Sequence, residues 1–241
     1  RRHHQALEIL EGVDYWILLR RRLEELGLNL FLRLSEPGRF LADFQEFFSR
    51  CQDELVSPAD YQAYVADLEA AFGRQKDSLT AEERAERELA LREQQELARA
   101  YAAAERLLEQ AGRTTFGGSL LGAVRLLEEN LEVRSRLQEE FRYLLVDEFQ
   151  DANIAQITLL RLLAGGHRNL MVVGDDDQAI YRFRGASYAS FHKFAELFPG
   201  HRRISLIHNY RSTRRILAAS TELIRQNGPA RFEAEKKLLP T

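Results

Sequence analysis

Cysteine is almost missing from these 241 residues: Cys51 stands alone. No internal disulfide can form, and a lone thiol fits a reducing compartment, so a cytoplasmic location is expected. A small buried hydrophobe accounts for Cys51 better than a catalytic thiol does. No run of about 18 apolar residues occurs, so no membrane span is expected. Positive charge is not in excess: 34 Lys and Arg against 37 Asp and Glu leave a formal charge of −3. That balance does not advertise nucleic acid, whose binders often have basic surfaces, and it counts against such a role. No Gly-x-x-x-x-Gly-Lys-Ser/Thr is present either. Without it these residues supply no ring of backbone N–H groups and no lysine to cradle β- and γ-phosphates.

What is present is a globular composition, 45% hydrophobic and 29% charged. The length allows one large domain or two small ones. The first half reads as helices. Residues 5 to 27 place Leu7, Leu10, Trp16 and Leu19 or Leu23 at near-helical spacing, with Gly27 as terminator. Phe31 to Phe48 supplies further buried-type positions, interrupted by Pro37-Gly38. Ser57-Pro58-Ala59-Asp60 opens a helix that runs to about Phe72-Gly73. Thr80-Ala81-Glu82-Glu83 is a capping box, and the helix it starts extends to Ala111. Ala85, Leu89, Ala100 or Tyr101, Ala104 and Leu108 trace its apolar stripe, and the Glu and Arg between them form a solvated face. Leu120 to Leu137 is a further helix.

Near residue 112 the long helices give way to alternation of strand and helix. Tyr143-Leu144-Leu145-Val146 ends in Asp147-Glu148-Phe149-Gln150-Asp151. Ile154 to Leu163 is helical and closed by Gly165-Gly166, and Leu170-Met171-Val172-Val173-Gly174 ends in Asp175-Asp176-Asp177-Gln178. Strand, helix, strand implies a parallel sheet, whose ligands sit beyond the carboxyl ends of the strands. Both acidic clusters fall at that edge. An Asp-Glu pair there can serve a hard cation and orient a nucleophilic water. The plainer alternative makes them turn and helix N-terminal acids. Three further aspartates at the second exit repel one another unless a cation or arginines are near. Tyr181-Arg182-Phe183-Arg184 then alternates rings and guanidinium groups, a pattern that suits single-stranded nucleic acid, although rings also pack under loops. Ile204 to Ile207 reads as another strand. It leads into His208-Asn209-Tyr210-Arg211-Ser212 and a helix from Arg214 to Gln226, capped by Ser212 or Thr213.

Val146 to Asp151, Val173 to Ala186 and Asn209 to Ser212 resemble motifs II, III and IV of the UvrD/Rep/PcrA-type superfamily 1 DNA helicases, in order and at the family's spacing. The resemblance implies an α/β fold: part of a RecA-like parallel-sheet P-loop NTPase core (residues 113–241) with a mainly α-helical insertion subdomain (residues 1–112). It implies ATP and Mg²⁺ as cofactors. Asp147 would coordinate Mg²⁺ and Glu148 would activate the attacking water. Gln178 would sense the γ-phosphate. Tyr181 and Phe183 would stack on DNA bases, and Arg184 would link that track to the nucleotide. Tyr210 would stack on adenine and Arg211 would act as an arginine finger. The implied activity is ATP-driven 3′ to 5′ movement on single-stranded DNA with duplex unwinding, in replication or repair. Its partners would be single strands, single/double-strand junctions and the remaining helicase domains.

Departures are visible. Phe183 stands where many members have Trp, Ala179 replaces a common Ser, and Ala152 a common Thr. Thr115-Phe116-Gly117-Gly118-Ser119-Leu120 resembles an Asp-Phe-x-Asp-Leu segment without either acid. The phosphate loop of the family would precede Arg1 and its later motifs would follow Thr241. The expectation is thus an interior piece of a longer helicase that, alone, turns over ATP negligibly. A transporter-type ATPase shares the Asp-Glu strand end but leaves Gln178 to Ala186 and Asn209 to Ser212 unexplained. A non-catalytic DNA- or protein-binding remnant accounts for the missing loop.

Overall fold

The structure is a computed structural model that describes residues 7–32, 38–178, 190–226 and 239–240, the last pair as backbone. It divides into two compact units, Arg1–Glu129 and Asn130–Thr241. The sequence places the division near residue 112; by compactness the helix over Phe116–Glu129 goes with the first unit.

The first unit begins with β1 (Glu8–Ile9) and α1 (Gly12–Arg21). A 3-10 turn over Leu23–Leu26 then ends at Gly27, whose φ is +64°. The single helix expected over residues 5 to 27 is thereby corrected at both ends. Leu7 is exposed, and Tyr15, Leu19 and Leu26 are the buried positions. α2 (Leu41–Asp53) carries Leu41, Phe44 and Phe48 into the core. α3 (Pro58–Gln75) starts as expected: Ser57 and Asp60 form a reciprocal capping box with Pro58 in the first turn. α4 (Ala81–Gln110) starts on the Thr80–Glu83 box. Its buried face is shorter than the expected stripe: Leu89 is half exposed, and burial is concentrated from Glu96 to Leu108. Earlier in α4, Arg87 bonds Gln75 and Gln94 accepts from Tyr61 of α3; later, Tyr101 and Glu105 meet Phe48 and Gln52 of α2. Phe48 stacks on Tyr101 at 4.9 Å between ring centres, at the centre of this core.

β2 (Arg113–Thr114) pairs in parallel with β1, and α5 (Phe116–Glu129) follows. Here the segment lacking the family's two acids has a local role. The Thr115 hydroxyl accepts the Gly118 N–H at 2.9 Å and donates to Gln52 Oε1 at 2.8 Å. A Cβ on Gly117 would lie 2.6 Å from that Gln52 oxygen, so only glycine fits there. Gln52 in turn donates to Glu105 at 2.9 Å, and burial holds the Glu105 carboxyl above its ordinary range. Cys51 is buried, and burial pushes its thiol up to about 11, consistent with a packing role.

Glu96 is 1% exposed, and its carboxylate accepts the backbone N–H groups of Asn29, Leu30 and Phe31 at 2.7, 2.9 and 3.2 Å. These three bonds fasten the irregular stretch after Gly27 to α4. Glu96→Ala leaves the three donors without their acceptor, a loss of about 1–3 kcal/mol. The check is amide hydrogen exchange at residues 29–31, which should quicken; unchanged protection would show that another group holds them.

The second unit opens with α6 (Leu131–Glu140), capped by the Asn130 side chain on the Val133 N–H at 3.0 Å. Asn130 thus breaks the one helix expected from Leu120 to Leu137 into two. β3 (Leu144–Val146), α7 (Ile154–Ala164) and β4 (Leu170–Val172) follow as read from the sequence. The strands pair in parallel, with Leu144 beside Leu170 and Val146 beside Val172. Side chains alternate across a strand. Leu144, Val146, Leu170 and Val172 pack on Phe149, Ile157, Phe194 and Phe198, whereas Leu145 and Met171 face away and are exposed. α8 (Ser190–Leu197) supplies Phe194 to this core.

The strand expected at Ile204 to Ile207 is not formed. Ile204 and Leu206 are 69% and 77% exposed, and the stretch is irregular. A strand requires a ladder partner, and pairing here begins only at β5 (His208–Asn209), which lies parallel to β6 (Leu239–Pro240). Between them runs α9 (Arg214–Ile224). Thr213 holds its N-cap position without a side-chain bond. Among the described residues, no helix is long and apolar enough to cross a membrane.

Candidate functional site

The parallel pairing of β3 and β4 brings two acidic strand exits side by side. The ladder continues one step past each strand: Val173 N–H donates to Val146 O at 2.8 Å, and Phe149 N–H donates to Val173 O at 2.9 Å. Asp147 and Glu148 lie between those two bonds, and both are exposed. The backbone reverses at Glu148, whose φ of +49° is in the left-handed region. That conformation costs a non-glycine residue about 1–2 kcal/mol, and it persists only where neighbours over-determine it. They do so here. Glu148 N–H donates to Asp147 Oδ1 at 2.9 Å, and Asp151 N–H closes the turn on Glu148 O at 2.9 Å. Phe149 is wholly buried, edge-on to Phe191 and Phe194, and anchors the turn from below.

Gln150 lies within the motif, where its residue type alone assigns it no role. It is 2% exposed and spans the two exits. Its Nε2 donates to Glu148 Oε2 at 2.6 Å, and its Oε1 accepts the Asp175 N–H at 3.0 Å. Gly174 makes room for this. A Cβ there would lie 2.5 Å from Gln150 Oε1 and 3.0 Å from both Phe149 N and Phe191 Cζ. The signal available in sequence was an amide set among acids, two residues after Glu148.

Past Gly174 the chain makes a 3-10 turn, Asp176–Gln178. Gln178 N–H donates to Asp175 O at 3.0 Å, and Gln178 Nε2 donates to Asp175 Oδ2 at 3.1 Å. One oxygen from each of Asp175, Asp176 and Asp177 lies within 4.8 Å of the others. The edge thus offers hard oxygen donors, which suit Mg²⁺ rather than a softer metal. Asp147 fits a Mg²⁺ ligand in particular: one oxygen holds the Glu148 N–H, and the carboxylate remains open to solvent.

Tyr210 and Arg211 occupy a second edge, after β5, in a two-stranded sheet separate from the β3–β4 pair. Asn209 Oδ1 accepts the N–H groups of Arg211 and Ser212 at 3.1 and 2.8 Å, an Asx turn that fixes the backbone there. Both Tyr210, at 82% exposure, and Arg211 extend into solvent. The structure therefore joins Glu148 and Gln178 through Gln150 and Asp175, and holds Tyr210 and Arg211 on their own turn. Tyr181, Phe183 and Arg184 lie outside the described residues.

Comparison with known proteins adds a second kind of observation. The profile of the UvrD/REP helicase N-terminal domain matches residues 4–199. The chain is 38% identical over 199 residues to the ATP-dependent DNA helicase PcrA of Staphylococcus aureus, covering 83% of this chain and 23% of that protein. It is 41% identical over 233 residues to DNA helicase II of Salmonella typhimurium and of Escherichia coli, covering 94% of this chain and 28% of each. The chain spans about a quarter of the length of these curated relatives.

Proposed function

This chain belongs to the UvrD/REP helicase family, and from that premise we propose that it is part of an ATP-dependent 3′ to 5′ DNA helicase. The whole protein couples hydrolysis to movement along single-stranded DNA and to unwinding at single/double-strand junctions, in replication or repair in the cytoplasm. The observation that supports this most is the adjacency of the two strand exits, which gathers Asp147, Glu148 and the Asp175–Gln178 turn at one carboxyl edge.

In this reading Asp147 holds Mg²⁺, which when bound neutralises charge on the phosphates. Glu148 orients the attacking water and accepts its proton. Its left-handed backbone and its bond to Gln150 hold the carboxylate in one place before substrate arrives, and phosphoryl transfer depends chiefly on such positioning. Gln178 senses the γ-phosphate through an amide already tethered to Asp175. Arg211 stabilises charge developing on the γ-phosphate, and Tyr210 stacks on adenine, both presented by the Asn209 turn. Arg184 links nucleotide and DNA, and Tyr181 and Phe183 stack on bases. The remaining helicase domains supply the phosphate loop, so these residues alone turn over ATP negligibly.

The second reading is a DNA- or protein-binding remnant without catalysis. ATP hydrolysis by the full-length protein, with and without single-stranded DNA, separates the two. Marked stimulation by DNA is expected; its absence supports the remnant. Phe183→Ala should weaken single-strand binding by about 1–3 kcal/mol, the usual value of a base–ring stack, as measured by fluorescence titration. Unchanged affinity would make the ring a packing residue.

A further inference from the structure

We propose that Gln150 is a positioning residue that aims the Glu148 carboxylate and ties it to the turn carrying Gln178. The proposal rests on the reading of Glu148 as the base.

Four residues form a continuous relay. Gln178 donates twice to Asp175, once from its backbone and once from Nε2. The Asp175 N–H donates to Gln150 Oε1, and Gln150 Nε2 donates to Glu148 Oε2. The central member is 2% exposed, so water does not compete for either end of its amide. The 2.6 Å bond to Glu148 is charge-assisted and the stronger of the two. Only an amide suits this place. A carboxylate has no donor for Glu148, and an apolar side chain serves neither strand exit. Gly174 belongs to the same device, because any Cβ there would strike the Gln150 oxygen.

The chemical consequence is directional control. A carboxylate at an exposed turn samples several rotamers, and one anchored oxygen leaves the other aimed. Because the anchor is also bonded to β4's exit, a ligand that pulls on Gln178 moves Asp175, and through Gln150 it moves Glu148. Contact with the γ-phosphate and aim of the base are thereby coupled within one strand pair.

The test uses the full-length protein with wild type alongside. In Gln150→Leu both bonds are lost, and the DNA-stimulated kcat should fall by about 10²-fold, the scale of a misplacement near 1 Å, with KM for ATP little changed. In Gln150→Glu the size is kept, but a second carboxylate faces Glu148. The donor to Glu148 is lost and like charges are set together, so kcat should fall as in Gln150→Leu with KM for ATP little changed. A purely structural residue would lower the melting temperature without separating kcat from KM. Gly174→Ala presses on the same bond from β4 and should reproduce the kcat loss with Gln150 intact, which covers the case of a poorly folded Gln150→Leu. An active wild type whose Gln150→Glu variant keeps its kcat overturns the inference. A wild type without DNA-stimulated hydrolysis overturns the functional reading itself and this inference with it.

Discussion

Glu148→Gln in the full-length protein should lose DNA-stimulated ATP hydrolysis by about 10²–10⁴-fold, the usual contribution of a positioned general base, while single-strand affinity stays as in wild type. The substitution isolates chemistry from structure. Glutamine has the same length, and its carbonyl oxygen can still accept the Gln150 amide now given to Glu148 Oε2. The left-handed turn does not depend on the side chain's charge either: it is held by the Glu148 N–H on Asp147 and the Asp151 N–H on Glu148 O. What disappears is a group able to take a proton from water. Initial rates across a DNA titration read the effect directly. Wild-type turnover would remove Glu148 from catalysis and return Asp147-Glu148 to the plainer reading of turn acids.

Arg211→Ala should lower kcat by about 10³–10⁵-fold, the range found when an arginine finger is absent from phosphoryl transfer. Arg211→Lys should recover little, because an ammonium is a point charge without the planar fork that grips two phosphate oxygens. The Asn209 turn is made by backbone N–H groups, so neither substitution removes its bonds. The exposed position likewise predicts an unchanged melting temperature. A modest loss, or full rescue by lysine, would show that Arg211 contributes only general positive charge.

The legible parts of the fold were those written locally. Ser57-Pro58 and the Thr80–Glu83 pair are capping signals that act within one turn, and both helices start where those signals stand. Leu144 to Val146 and Leu170 to Val172 are apolar runs bounded by acids and glycine, and they pair as read. The features that escaped depend on distant partners. β1 is two residues long and exists only through pairing with β2, more than a hundred residues later. Ile204 to Ile207 has strand composition but no ladder, since pairing starts at His208. Which half of α4 would be buried depended on where α1 and α2 pack, and alternation of Ala, Glu and Leu does not encode that.

The candidate site divides in the same way. Residue types and spacing pointed to Asp147, Glu148 and Gln178. Gln150's bridge was invisible because it needs the parallel register of β3 on β4 and the missing Cβ of Gly174. Phe149 carries no signal of its own in the sequence, yet its burial against Phe191 and Phe194 holds the reversal at Glu148 in place.

On the proposed reading, the exits of β3 and β4 together form a metal–triphosphate site. Replacing Mg²⁺ by Fe²⁺ in the full-length protein with ATP, then generating hydroxyl radicals at the bound ion, marks the backbone nearest to it. Cleavage mapped by mass spectrometry should fall at Asp147–Glu148 and at Asp175–Gln178, depend on ATP, and weaken in Asp147→Asn. Cuts confined to other segments, or indifferent to ATP, would show that the ion binds elsewhere.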